Sequence, residues 1–157
     1  MSISDLQEAK AYLESIDFSP IIERIKKEKK WHSKKIVKAV EEYKKFLLLQ
    51  KKYDGKQMLV PSLRIDEIWH AHILFTKQYH EDCQKLFGKY MHHQPETQFG
   101  RYQLSKNENE KAADETERVY LQEYNEYIYG KPIYVPAIIE PLVRLILNLG
   151  FIKRAFV

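Results

Sequence analysis

The sequence predicts an all-α fold, a single-domain bundle of about five to six helices. Apolar residues recur at intervals of three and four along almost the whole chain. Runs of β-branched residues are scarce, and only five glycines punctuate 157 residues. That length suits one domain with its own core and is short for two. Hydrophobic residues at 44% and charged residues at 31% give a foldable chain, which argues against disorder.

The elements follow in order. A first helix is expected over residues 4–15, with a break near Phe18, Ser19 and Pro20. Pro20 suits the first turn of a second helix reaching about Lys30. Ser33 then caps a third helix, whose stripe of Ile36, Val40, Tyr43 and Leu47, flanked by Val37 and Leu48, predicts a central core element ending at Asp54-Gly55. After an extended connector over 56–60, Pro61 and Ser62 supply a break and a cap for a fourth helix. It is expected to run unbroken to about Phe87 and to stop at Gly88. A loop over 89–104 follows, and Ser105 with Glu108 fits a capping box. The fifth helix carries Ala113, Thr116, Tyr120, Tyr124 and Tyr127 at helical spacing, tyrosines that suit packing, before Gly130 and Pro132. The tail is apolar and reads as a short helix at about 136–149, a core lid by first choice, otherwise a partner-docking segment or a membrane-surface anchor.

Composition narrows the setting. Cys83 is the only cysteine, so no intrachain disulfide forms, and a reducing compartment is expected. The amino terminus has no apolar leader, and no stretch approaches the roughly 18 apolar residues of a membrane span. A cytoplasmic location is the expectation. Net charge is +4, part of it from KKEKKWHSKK at residues 26–35. Such a run can meet phosphates, but lysine stems laid over apolar neighbours account for it as well, so nucleic acid is not the favoured partner.

The chemistry concentrates in DEIWHAHILFTKQYHEDCQKLFGKYMHH, residues 66–93, which holds five of the six histidines and Cys83. A helix turns about 100° per residue, which puts Asp66 and His70 one turn apart on one face. Ile65, Trp69, His72, Thr76, Tyr79, His80 and Cys83 fall on a second, mostly apolar face. His70 and His72 lie about 160° apart on a regular helix and cannot share one ion there.

Two arrangements remain. One joins Asp66 and His70 to a loop histidine; the other joins His72 and Cys83 or His80 to His92 or His93. Either offers three nitrogen, oxygen or sulfur ligands and one open position, the pattern of a labile or catalytic zinc or iron site. Each residue also has a bland explanation: a core hydrogen bond for His72, an i, i+4 pair for Asp66 and His70, apolar packing for Cys83. A nucleophilic role would pair Cys83 with His80 or His93 and needs a lowered thiol pKa. General acid–base work by His70, oriented by Asp66, is a further possibility.

Asp66, Trp69, His70, His72, Tyr79, Asp82, Cys83, Gly88 and His93 spell D-x-x-W-H-x-H, then Y-x-x-D-C, then a glycine and a histidine. This pattern resembles the glycine-rich domain-containing protein-like family, although the glycine-rich region that names it is missing here. The resemblance implies that residues 66–93 are the functional centre and implies no reaction.

The leading expectation is a metal-binding helical module holding zinc or iron through His70 or His72 with His93 and a carboxylate or thiolate from Asp66 or Cys83. Trp69 and Tyr79 would orient those ligands from behind. The competing expectation is a protein-interaction module whose histidines are structural and whose apolar tail docks a partner.

Overall fold

The computed structural model describes residues 2–53, 56–93 and 106–130. Six helices order these residues: α1 (Leu6–Ser15), α2 (Ser19–Lys29), α3 (Ser33–Tyr53), α4 (Leu63–Leu74), α5 (Thr76–Phe87) and α6 (Lys106–Tyr124). No strand occurs among the described residues, so the all-α expectation holds. The cap at Ser105, Asp54-Gly55, Pro132 and the apolar segment at 136–149 lie outside them.

Two compact units are formed. The first takes in described residues 2–53 and 63–93, and the second 56–62 and 106–130. In the first, α3 packs against α1, α2 and α4, and α4 also meets α2 and α5. The buried stripe of α3, Ile36, Ala39, Val40, Tyr43, Phe46 and Leu47, makes it the central element that its sequence predicts. Ala9 and Leu13 from α1, Ile21 and Ile25 from α2, and Ile65, Ile68 and Trp69 from α4 are buried as well. Each large apolar side chain so buried contributes roughly 1.5–3 kcal/mol.

Local chemistry explains the helix ends. Asp5 caps α1, its Oδ1 accepting from the backbone N–H groups of Gln7 at 2.9 Å and Glu8 at 3.0 Å. Pro20 sits in the first turn of α2, where its missing N–H costs nothing. Across α3 and α4, Arg64 forks onto Glu42, with Nε to Oε2 at 2.9 Å and Nη2 to Oε1 at 2.8 Å. That bidentate pair lets Glu42 sit buried on α3.

The expected continuous fourth helix is two helices. α4 closes with the Phe75 N–H donating to the His72 carbonyl at 3.0 Å, a three-residue step, and Phe75 leaves the helical region at ψ 62°. The cause is tertiary. Residues ten apart on one helix are separated by about 15 Å along its axis. Yet His72 Nε2 lies 3.1 Å from Asp82 Oδ2, and Trp69 Nε1 lies 2.8 Å from the Tyr79 hydroxyl. Folding α5 back on α4 makes both buried bonds, which an unbroken rod cannot make.

The second unit is built on α6. Thr116 Oγ1 accepts from the Val60 N–H at 2.9 Å while donating to the Ala112 carbonyl at 2.6 Å. The Tyr129 hydroxyl donates to the Val60 carbonyl at 2.7 Å, so both backbone groups of one connector residue are satisfied. α6 stops at Tyr124, before the expected end, because Asn125 takes a left-handed φ of 54°. Tyr127 therefore lies past the helix.

Candidate metal centre

α4 carries Asp66 and His70 one turn apart, and their side chains meet as the spacing predicts: His70 Nδ1 is 3.2 Å from Asp66 Oδ2. The third member arrives from the segment after Gly88. His93 Nε2 lies 2.6 Å from Asp66 Oδ1, and its ring is 4.4 Å from that of His70, centroid to centroid. One ligand atom from each of the three falls within 4.8 Å of the others. Among the described residues this is the one group of three such side chains placed for an ion.

The separations fit a shared ion. Donor atoms about 2.1 Å from a zinc or iron ion stand roughly 3–3.5 Å from each other, so modest side-chain shifts suffice. Asp66 now accepts from His93 Nε2 and lies beside His70 Nδ1, the two nitrogens that a metal would take.

His93 is held firmly for a residue in a loop. Gly88, left-handed at φ 72°, ends α5 and returns its N–H to the Gln84 carbonyl at 3.0 Å. The chain then passes over Tyr79, whose hydroxyl donates to the Met91 carbonyl at 2.6 Å and accepts from Trp69 Nε1. Trp69 in turn stands edge-on to the His93 ring at 4.3 Å. Only 7% of the His93 side chain is exposed, against 28% for Asp66 and 43% for His70. Trp69 and Tyr79 thus back the segment that carries His93.

His72 belongs to a different constellation. Its side chain is 1% exposed, and its Nδ1 is 3.1 Å from the Tyr43 hydroxyl. Asp82 bridges onward, with Oδ2 on His72 Nε2 and Oδ1 accepting from the Tyr12 hydroxyl at 2.6 Å. A single tautomer satisfies the chain: Nε2–H donates to the carboxylate and Nδ1 accepts from Tyr43. The rings of Phe18, Tyr43 and Tyr79 enclose the imidazole edge-on. Burial first, then the hydrogen bond and charge of Asp82, pushes the Tyr12 hydroxyl well above its ordinary value. Burial does the same to Tyr43, seconded by Tyr79. These groups stay protonated and act as hydrogen-bond donors.

Cys83 is buried beside Tyr79 and the Met91 backbone. Burial raises its thiol, which those two hydrogen bonds only partly oppose, so the environment does not produce the lowered pKa that a nucleophile requires. Of the five candidate ligands, the structure brings Asp66, His70 and His93 together and sets His72 and Cys83 in the core. His80 and His92 are exposed, with Tyr90 beside each ring. Sequence reasoning missed Tyr12 and Tyr43 as partners of the segment, since nothing local to them signals contacts 70 and 29 residues away.

The UCP032817-like family matches residues 8–118, which include every residue of the triad and of the buried network. The chain belongs to the UCP032817-like family. No curated protein and no solved structure matches it. Among the described residues no helix is long and apolar enough to cross a membrane.

Proposed function

We propose that this member of the UCP032817-like family binds a divalent transition metal, zinc or iron, through Asp66, His70 and His93. The observation that carries the reading is the convergence of those three ligand atoms within 4.8 Å, with Trp69 and Tyr79 fixing the loop ligand from behind. Two imidazoles and one carboxylate form a donor set that suits both metals. The resemblance to the glycine-rich domain-containing protein-like family supports the same centre, since Asp66, His70 and His93 all stand in the pattern that carries it.

The test is metal content and binding stoichiometry of protein purified without a histidine tag. One equivalent of zinc or iron is expected for the wild type, and loss of it in His93→Ala and Asp66→Asn. His80→Ala, which removes an exposed histidine outside the triad, should leave it unchanged. Binding that ignores the triad substitutions, or that follows His80, would sink the proposal.

A further inference from the structure

We propose that a metal held by Asp66, His70 and His93 keeps an exchangeable, solvent-facing side that takes a small anionic oxygen-donor ligand of the carboxylate class. This inference rests on the metal-site reading above and adds the chemistry of the ligand from outside the chain.

The described donor count leaves room for such a ligand. Among the described residues, three side chains converge and no fourth histidine, cysteine or carboxylate joins them. Zinc takes at least four ligands, and iron(II) on two histidines and one carboxylate commonly takes more. The nearest acidic neighbour in sequence, Glu67, is engaged elsewhere: both of its oxygens meet Lys29 Nζ, at 2.9 Å and 2.7 Å.

Exposure gives the direction. His93 is nearly enclosed against Trp69, whereas the His70 side chain is 43% exposed and Asp66 28%. The other side of α4 is filled by Ile65, Ile68 and Trp69 in the core. Positions left open on a bound ion would therefore lie on the His70 flank, towards water.

Charge gives the class. Two neutral imidazoles and one carboxylate leave a divalent ion with one net positive charge. An anion cancels that charge where a neutral ligand cannot, and zinc and iron(II) both accept oxygen donors readily. A carboxylate can bind through one oxygen or two, which suits either coordination number.

The experiment uses the full chain, purified without a tag and loaded with cobalt(II), whose visible spectrum reports its ligands. Acetate is titrated in, with acetamide as the neutral isostere and ionic strength held constant. The expected result is a saturable change in the cobalt bands with acetate, none with acetamide, and cobalt still on the protein after gel filtration. Bands unmoved by acetate, an equal response to acetamide, or release of cobalt would overturn this inference while leaving the metal site standing. Cobalt that never binds, or binds equally well to His93→Ala, would instead remove the metal reading and this inference with it.

Discussion

The Tyr79 hydroxyl donates to the Met91 carbonyl at 2.6 Å, two residues before His93, and so ties α5 to the loop that brings His93 to Asp66. The same oxygen accepts from Trp69 Nε1 on α4, directly before His70. Tyr79→Phe leaves the Met91 carbonyl and the indole N–H unpaired without changing the ring's packing. We expect zinc affinity to fall about 10–100-fold, as for other groups that orient metal ligands. Stability should fall by roughly 1–3 kcal/mol. Calorimetric zinc titration beside a denaturant melt separates the two effects; unchanged affinity in a folded variant would show that His93 needs no such support.

His72 is expected to matter for the fold and not for the metal. His72→Ala opens a cavity among Phe18, Tyr43 and Tyr79 and strips Asp82 of a buried partner. A loss of about 3–5 kcal/mol is expected, the range when a buried charge is left without its partner. Asp82→Asn, which keeps the volume and the Tyr12 contact, should cost less. Metal stoichiometry of the Asp82→Asn protein, measured while folded, should equal that of the wild type. A loss of metal would place the network inside the site's support.

Much of the fold was legible because its signals are local. Asp5 and Pro20 act within one turn of the helices they start, and the α3 stripe is read by periodicity alone. The Asp66–His70 pairing was legible for the same reason. The break at Phe75 was not, because its cause is two tertiary bonds between residues ten apart, which helical periodicity treats as unrelated. His93 was the expected loop histidine, yet the reason for its placement was not legible. It depends on Tyr79 gripping Met91 and on the Trp69 ring, and no motif spacing records either contact.

The Cys83 thiol should react slowly in the native protein. Burial raises it above its ordinary value of 9.0, so near neutral pH it is protonated as well as shielded. Folding here favours the protonated form. That contribution is complete below the unfolded thiol's pKa and is lost as pH rises through the higher folded value. Labelling with iodoacetamide should therefore be slow until denaturant is added. Fast labelling under native conditions would mean that the α5 face opens readily.

In the second unit, acid should loosen α6. The hydrogen bond from Arg118 is the main cause holding the Glu115 carboxyl below its ordinary value of 4.5, with the Arg118 charge and Gln57 adding to it. A lowered carboxyl pKa stabilises the fold above the ordinary value, and the benefit is lost as pH falls through the lowered one. Protection of α6 amides against hydrogen exchange, taken relative to their intrinsic rates, should fall on acidification from about pH 4.5 downward. Glu115→Gln should show a smaller loss of protection over the same range. An identical pH response in both proteins would assign the effect to other groups.

One residue, Gly88, serves both the end of α5 and the path of the chain to His93. Its φ of 72° is left-handed, and a Cβ added there would meet Ser2 Oγ at 3.0 Å and Ser2 Cβ at 3.1 Å. Gly88→Ala combines about 1–2 kcal/mol of backbone strain with a crowded neighbour. Ser2→Gly in the same chain relieves only the crowding. Because the turn at Gly88 aims the segment that carries Met91 and His93, strain released by unwinding it also displaces the ligand. Zinc affinity should thus fall in Gly88→Ala, and Ser2→Gly should restore part of the stability but little of the affinity. If Ser2→Gly restores both fully, steric contact alone explains the variant and the left-handed turn is not what positions His93.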